Sequence, residues 1–259
     1  MKKEKLTIIK VGGKIVEDGS ALQRLLSDFS TIDGRKLLVH GGGRSATALA
    51  ARLGIETKMV DGRRITDDSM LEVVTMVYGG LVNKRIVAGL QAAGVNAVGL
   101  TGADMNAVLS VRRSVGVVDY GWVGDVRIVN ADAISTLVEN GYCPVIAPIT
   151  HDGKGHLLNT NADTMAGETA KALASRYDVD LVYCFEKAGV LFDENDDSSV
   201  IDEINPCEYS ELKKSGKITG GMIPKLDNAF SCVAAGVSRV VITRADLIAD
   251  ANAGTKIVG

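Results

Sequence analysis

The chain has little of what would staple, hinge or stack it. Only 4 prolines and 4 cysteines occur in 259 residues. Cys143, Cys184, Cys207 and Cys232 are widely spaced and form no C-x-x-C pair. That excludes a disulfide framework and a cysteine metal knuckle, and leaves reduced thiols in a cytoplasmic protein. Aromatic residues make up 4%, too few for the stacking platform of a single-strand binder. Neither sign of charge dominates. A net charge of −3 and a pI near 5.7 give no footprint for nucleic acid or an anionic membrane. No uncharged apolar run approaches the length of a bilayer span. At the start, MKKEKLTIIKVGG, Lys10 interrupts the apolar run and no cleavage-site pattern follows, so the segment does not read as a signal peptide. Of the histidines, only His151 and His156 are close in sequence. They flank Asp152-Gly153, a hairpin turn, and read as surface residues rather than metal ligands.

Glycine is plentiful, with 29 residues placed at turns rather than in low-complexity runs. Short β-rich runs alternate with helical segments: a strand at 6–11, a helix at 20–29, a strand at 36–40 and a helix at 44–53. This rhythm predicts an α/β fold, a mostly parallel sheet with helices on both faces. Thr66, Asp67 and Asp68 read as a helix start, and that helix pauses at Gly79-Gly80 before resuming. Val108–Val111, Val115–Tyr120 and Val123–Ile128 suggest antiparallel strands. Helices follow at 131–140, 160–177, 208–214 and 222–235, with strands at 144–149, 180–185, 239–243 and 255–258. The acidic DENDDSS run at 193–199 reads as a solvated loop. No repeat or linker divides the chain. It is read as one domain over 1–259, in two lobes that meet near residue 178.

The run LVHGGGRSA at 38–46 places three glycines between a strand and a helix, an arrangement that turns backbone N–H groups toward a phosphate. Gly41, Gly43 and Ala46 also fit G-x-G-x-x-A, a loose dinucleotide fingerprint, with Asp61 where an acid would hold a ribose. A ligand-free tight turn is the third reading, and no Walker A sequence is present. Lys10 ends an otherwise apolar strand just before Gly12 and Gly13. A buried charge without a partner is costly, and the carboxyl ends of central strands are where ligands bind. Lys10, Gly12, Gly13 and Gly41–Gly43 are therefore expected around one anion. In KITGGMIPKLDNA, Gly220-Gly221 precede a helix that carries Lys225 near its positive end. In LLNTNADTMAGETA, Asn159, Asn161 and Asp163 alternate at a helix start, the pattern of a cap with polar turn residues. Two lysines, two glycine turns and an acid that could hold both lysines make a phosphoryl-transfer kit. Such a reaction needs positioning and charge neutralisation more than covalent chemistry.

IIKVGG, VHGGG, DGRRIT, VGLTGAD, DYGWVGDV, NTNADTMA and GGMIPK occur in the order found in the amino-acid kinase family, and the chain resembles the acylglutamate branch of that family along essentially its whole length. The resemblance implies a three-layer αβα sandwich. It implies an ATP-dependent transfer, with Mg²⁺, of the γ-phosphoryl to the γ-carboxylate of N-acetyl-L-glutamate or a close N-acylglutamate, in arginine biosynthesis. Lys10 and Lys225 would neutralise the moving phosphoryl, Gly13 and Gly42 would stabilise its oxygens, and Asp163 would orient the lysines. Arg64 and Asn159, with Gly41, Gly42 and Asn161, would hold the acceptor. Gly12, Gly13 and Gly221, with the two lysines, would face the nucleotide. The lobe at 1–178 would carry the acceptor and the dimer contact, the lobe at 179–259 would carry ATP, and residues 57–66 would form a lid. Because the first strand starts by Leu6, a homodimer insensitive to arginine is expected, without nucleic-acid or membrane partners. Sizing and inhibition assays test that expectation. Two departures stand out. Phe185, Glu186 and Lys187 replace the small residue and Asp usual there, and Asn106 stands where glycine is common, so the acyl group is left open. Another small-molecule kinase, a catalytically silent ligand sensor and a dehydrogenase are the competing readings.

Overall fold

The computed structural model describes residues 3–60, 62–193, 195–250 and 252–259. Asp61 therefore lies outside the described residues, as does Glu194 of the acidic run. In chain order the elements are β1 (Lys5–Val11), α1 (Gly13–Glu17), α2 (Gly19–Thr31), β2 (Arg35–His40), α3 (Gly43–Arg52), β3 (Met59–Val60), β4 (Arg63–Arg64), α4 (Asp68–Val74), α5 (Asn83–Ala92) and β5 (Ala97–Leu100). Then come β6 (Val108–Arg112), β7 (Gly124–Val129), α6 (Ala131–Glu139), β8 (Cys143–Ile146), β9 (Ile149–His151), β10 (Leu157–Asn159), α7 (Ala162–Leu173) and β11 (Asp178–Phe185). The chain finishes with β12 (Glu203–Ile204), α8 (Pro206–Lys214), α9 (Met222–Ala234), β13 (Arg239–Arg244) and β14 (Thr255–Ile257).

Eight strands form one sheet in the order β12-β14-β13-β11-β1-β2-β8-β5, parallel throughout except where β13 meets β14. The α/β reading of the sequence holds. β1 is central because six of its seven residues are buried, as expected for a strand covered on both faces. Its side chains alternate between two layers. Leu6 and Ile8 join Leu181 and Tyr183 of β11 under α7 and α9, while Ile9 and Val11 face Leu25 and Phe29 of α2. Each such fully buried leucine or isoleucine stabilises the fold by about 1.5–3 kcal/mol. The chain leaves β1 for β2 on one side and returns as β11 on the other. That reversal opens a crevice at the carboxyl ends of the strands.

Two local expectations are corrected. The helix that begins at Asp68, capped by Asp67, does not pause at Gly79-Gly80. It runs to Ala92 through a π-helical stretch, Thr75–Val82, which absorbs both glycines. By length and composition alone Asp68–Ala92 would pass for a membrane span, but Met70, Val73, Val74, Val77, Ile86 and Leu90 are buried in the core. Residues 115–120 do not form a strand. The second sheet is instead β10-β9-β6-β7, and it includes the β9–β10 hairpin expected across Asp152-Gly153.

Candidate active site

Lys10 is the penultimate residue of β1, and its alternation with Leu6 and Ile8 turns it toward α7. Its ammonium lies 2.6 Å from Asp163 Oδ1, and both side chains are largely shielded from water. The two meet as an ion pair. Asp163 reaches this point because Asn161 caps α7, accepting hydrogen bonds from the amides of Asp163 at 2.8 Å and Thr164 at 3.0 Å. Lys225 arrives from the first turn of α9. Burial lowers its pKa from the ordinary lysine value, with neighbouring Lys10 adding to the shift and Asp163 opposing it.

The glycine turns interlock. The Gly41 amide donates to the carbonyl of Val11 at 3.0 Å, which sets the turn after β2 against the turn after β1. Gly42 needs its missing side chain, since a Cβ there would come within 2.9 Å of the Tyr78 ring. Glu17 of α1 accepts from the Ser45 amide and ties α1 to α3, the helices that follow the two turns. Beneath the second turn lies His40, fully buried. Its Nδ1–H donates to the Gly41 carbonyl at 2.8 Å, and its Nε2 accepts from the Asn83 amide at 3.1 Å. Burial drives the His40 pKa down to about 4, so the ring is neutral at physiological pH.

Two cavities flank these turns and share Gly43 as a wall. One, of about 370 Å³, is lined by Gly41, Gly42, Arg64, Asn159, Asn161 and Arg113 among others. The other, of about 520 Å³, is lined by Lys10, Gly12, Gly13, Asp163, Phe185 and Lys225 among others. Arg64 is buried on β4. Its guanidinium donates to the Gly43 carbonyl at 2.8 Å and to Thr47 Oγ1 at 2.9 Å. Asn159 donates to Thr66 Oγ1 at 2.9 Å. Arg113, which sequence reasoning passed over, pairs with Asp125 on the wall of the smaller cavity. Gly221 stands at the start of α9 but does not line either cavity, so it is the one expected site residue left outside. Tyr78 and His40 were also missed as parts of the site. An aromatic or a histidine flanked by apolar residues carries no signal that distinguishes it from core. Among the described residues no group of three His, Cys, Asp or Glu side chains is placed to hold a metal ion.

A small cavity rich in carboxylate-binding groups and a larger one with two lysines meet at backbone amides. That arrangement suits two anionic groups placed end to end. The amino acid kinase family model matches residues 5–244. The chain is 69% identical to an acetylglutamate kinase of Phocaeicola vulgatus over 98% of this chain and 99% of that one. It is 65% identical to an acetylglutamate kinase of Bacteroides thetaiotaomicron, with the same coverage. A crystal structure from Streptococcus mutans superposes with a TM-score of 0.79 at 30% identity, covering 98% of each chain.

Proposed function

This chain belongs to the amino acid kinase family, and from that membership we propose how its two cavities work as one active site. The protein is an ATP-dependent kinase that moves the γ-phosphoryl group to the γ-carboxylate of N-acetyl-L-glutamate, a step of arginine biosynthesis. The observation that carries the reading is the shared wall at Gly43, with the acceptor cavity on one side and the two lysines on the other.

We assign the smaller cavity to the acylglutamate. Arg64 and Asn159 take its α-carboxylate, helped by the Asn161 side chain and the Gly41–Gly42 amides. A guanidinium suits a carboxylate because its fork matches two oxygens. The β3–β4 hairpin contributes Met59, Gly62, Arg63 and Arg64 to this cavity, which supports its role as a lid. The larger cavity takes ATP. It draws on both segments of the chain, 10–44 and 163–225, so the assignment of the acceptor to residues 1–178 and the nucleotide to 179–259 is one of emphasis. The γ-carboxylate attacks phosphorus, one P–O bond forms, and the bond to the β-phosphate oxygen breaks to release ADP. No general base is required, because a carboxylate with a reference pKa near 4.3 is already ionised. Lys10 and Lys225 neutralise the equatorial oxygens, and the amides of Gly13 and Gly42 hydrogen-bond to them. Asp163 keeps Lys10 in place. Mg²⁺ fits as a companion of the nucleotide rather than as a resident ion. The carboxylates of the cavity, Asp163 and Glu186, are engaged by Lys10 and Lys14, and the ion would withdraw charge from the phosphates.

We also propose a homodimer joined through residues 1–178. Met76 and Leu81 are about half exposed on the long helix, which supports that surface, and sizing chromatography tests it. The four cysteines are unpaired, three of them buried, which supports a reducing, cytoplasmic setting.

The deciding experiment is ATP-dependent acyl-phosphate formation trapped with hydroxylamine, offering N-acetyl-L-glutamate, N-succinyl-L-glutamate, L-glutamate and L-aspartate in parallel. Turnover on an acylglutamate is expected, and the preferred one names the acyl group. ATP binding without turnover on any of the four would overturn the reading.

A further inference from the structure

Phe185 is the last residue of β11 and lies on the sheet face that carries Tyr183 and Lys10. Its ring centroid is 3.6 Å from Lys225 Nζ and 4.9 Å from Lys10 Nζ. The ring is braced from behind. It stacks on Tyr183 with centroids 6.1 Å apart and planes 6° from parallel. Tyr183 is itself buried, and its hydroxyl donates to the Asp163 carbonyl at 3.3 Å. A single aromatic ring thus touches both lysines and rests on the residue that is bonded to α7.

The two lysines differ in what holds them. Lys10 has a carboxylate, Asp163. Among the described residues Lys225 has no salt bridge: Asp163 and Glu186 act on it from a distance while they pair with Lys10 and Lys14. A carboxylate in direct contact with Lys225 would cancel the charge that an incoming phosphoryl needs. The face of a ring attracts an ammonium through its quadrupole and leaves the net charge intact. It also takes only one side of the ammonium, which has three N–H donors. On the kinase reading given above, we propose that Phe185 is a positioning residue that holds Lys225, and secondarily Lys10, at the transfer point through cation–π contact. Phosphoryl oxygens then meet an ammonium that is already aimed and not yet neutralised.

The acyl-phosphate assay with N-acetyl-L-glutamate tests this. Phe185→Leu keeps an apolar side chain and removes the π face. Its kcat should fall about three- to thirty-fold, with KM for ATP changing by less than about two-fold. Placing mono-, di- and trifluorinated phenylalanine at position 185 keeps the ring shape while draining its face, so kcat should fall stepwise with fluorine number. This series decides the matter even where the leucine variant folds poorly. A kcat that stays constant across it overturns the proposal. So does an effect confined to KM for ATP, which would make Phe185 a nucleotide-packing residue. An inactive parent enzyme would instead sink the kinase reading, so the two failures are told apart.

Discussion

On the side of Gly43 proposed for the acceptor the wall is held by hydrogen bonds; on the side proposed for the donor it is held by charge and an aromatic ring. Arg64 grips the Gly43 carbonyl and Thr47, Asn159 grips Thr66, and His40 bridges Gly41 to Asn83. Lys10 faces Asp163, and Lys225 faces Phe185. Directional bonds suit the side that must recognise one small dicarboxylate, because they reject a ligand that leaves them unpaired. Movable point charges suit the side that must follow a phosphoryl group through its transfer. On the proposed assignment, recognition and chemistry are separated by a single backbone turn.

The donor side should break first and furthest. Lys10→Ala and Lys225→Ala should each lower kcat by about 10²-fold or more, as for other losses of transition-state charge stabilisation. Single-turnover assays at saturating ATP read this, and full turnover in both variants would end the comparison. Next comes the frame under the acceptor turn. Burial holds His40 at about 4, below its ordinary value near 6.5. Well above pH 6.5 the ring is neutral in both folded and unfolded chains and contributes no pH dependence. As pH falls, the unfolded chain takes the proton first, so stability is lost, by about 2 kcal/mol at pH 5. Urea unfolding at pH 7 and pH 5 should show that loss in the parent and a smaller one in His40→Gln; equal losses would refute it. The mildest effect is expected from Arg64→Lys, which keeps the charge but not the fork. KM for the acylglutamate should rise about ten-fold with kcat less affected. A larger effect on kcat than on KM would show that the acceptor wall also takes part in the chemistry.

Much of this frame is legible in the sequence. An ordered series of strand–glycine–helix units dictates a parallel sheet, and Lys10 at the end of an apolar strand announces a partner or a ligand because its burial is otherwise costly. The helix start expected at Thr66–Asp68 is there, with Asp67 rather than Thr66 as its cap, and Asn161 caps α7 as its residue type suggests. The errors had physical sources. Gly79 and Gly80 looked like a helix break, but the helix widened into a π turn and buried Val77, Tyr78 and Val82 around them. Residues 115–120 have strand-like composition but form no ladder; pairing begins only at their end, where the Thr66 amide donates to the Tyr120 carbonyl, and propensity alone does not supply a partner.

By itself, the sequence determined the α/β class, the glycine turns, both lysines and the acid between them, since these follow from local periodicity and from the cost of isolated charge. The tertiary structure alone decided that Gly43 is the common wall of two cavities and that Lys225 lies over a ring 40 residues earlier in the chain. It likewise decided that Gly221 falls outside them. The reason is geometric. Which side chains share a crevice depends on strand order and register, and β11 came to lie beside β1 only when long-range packing placed it there.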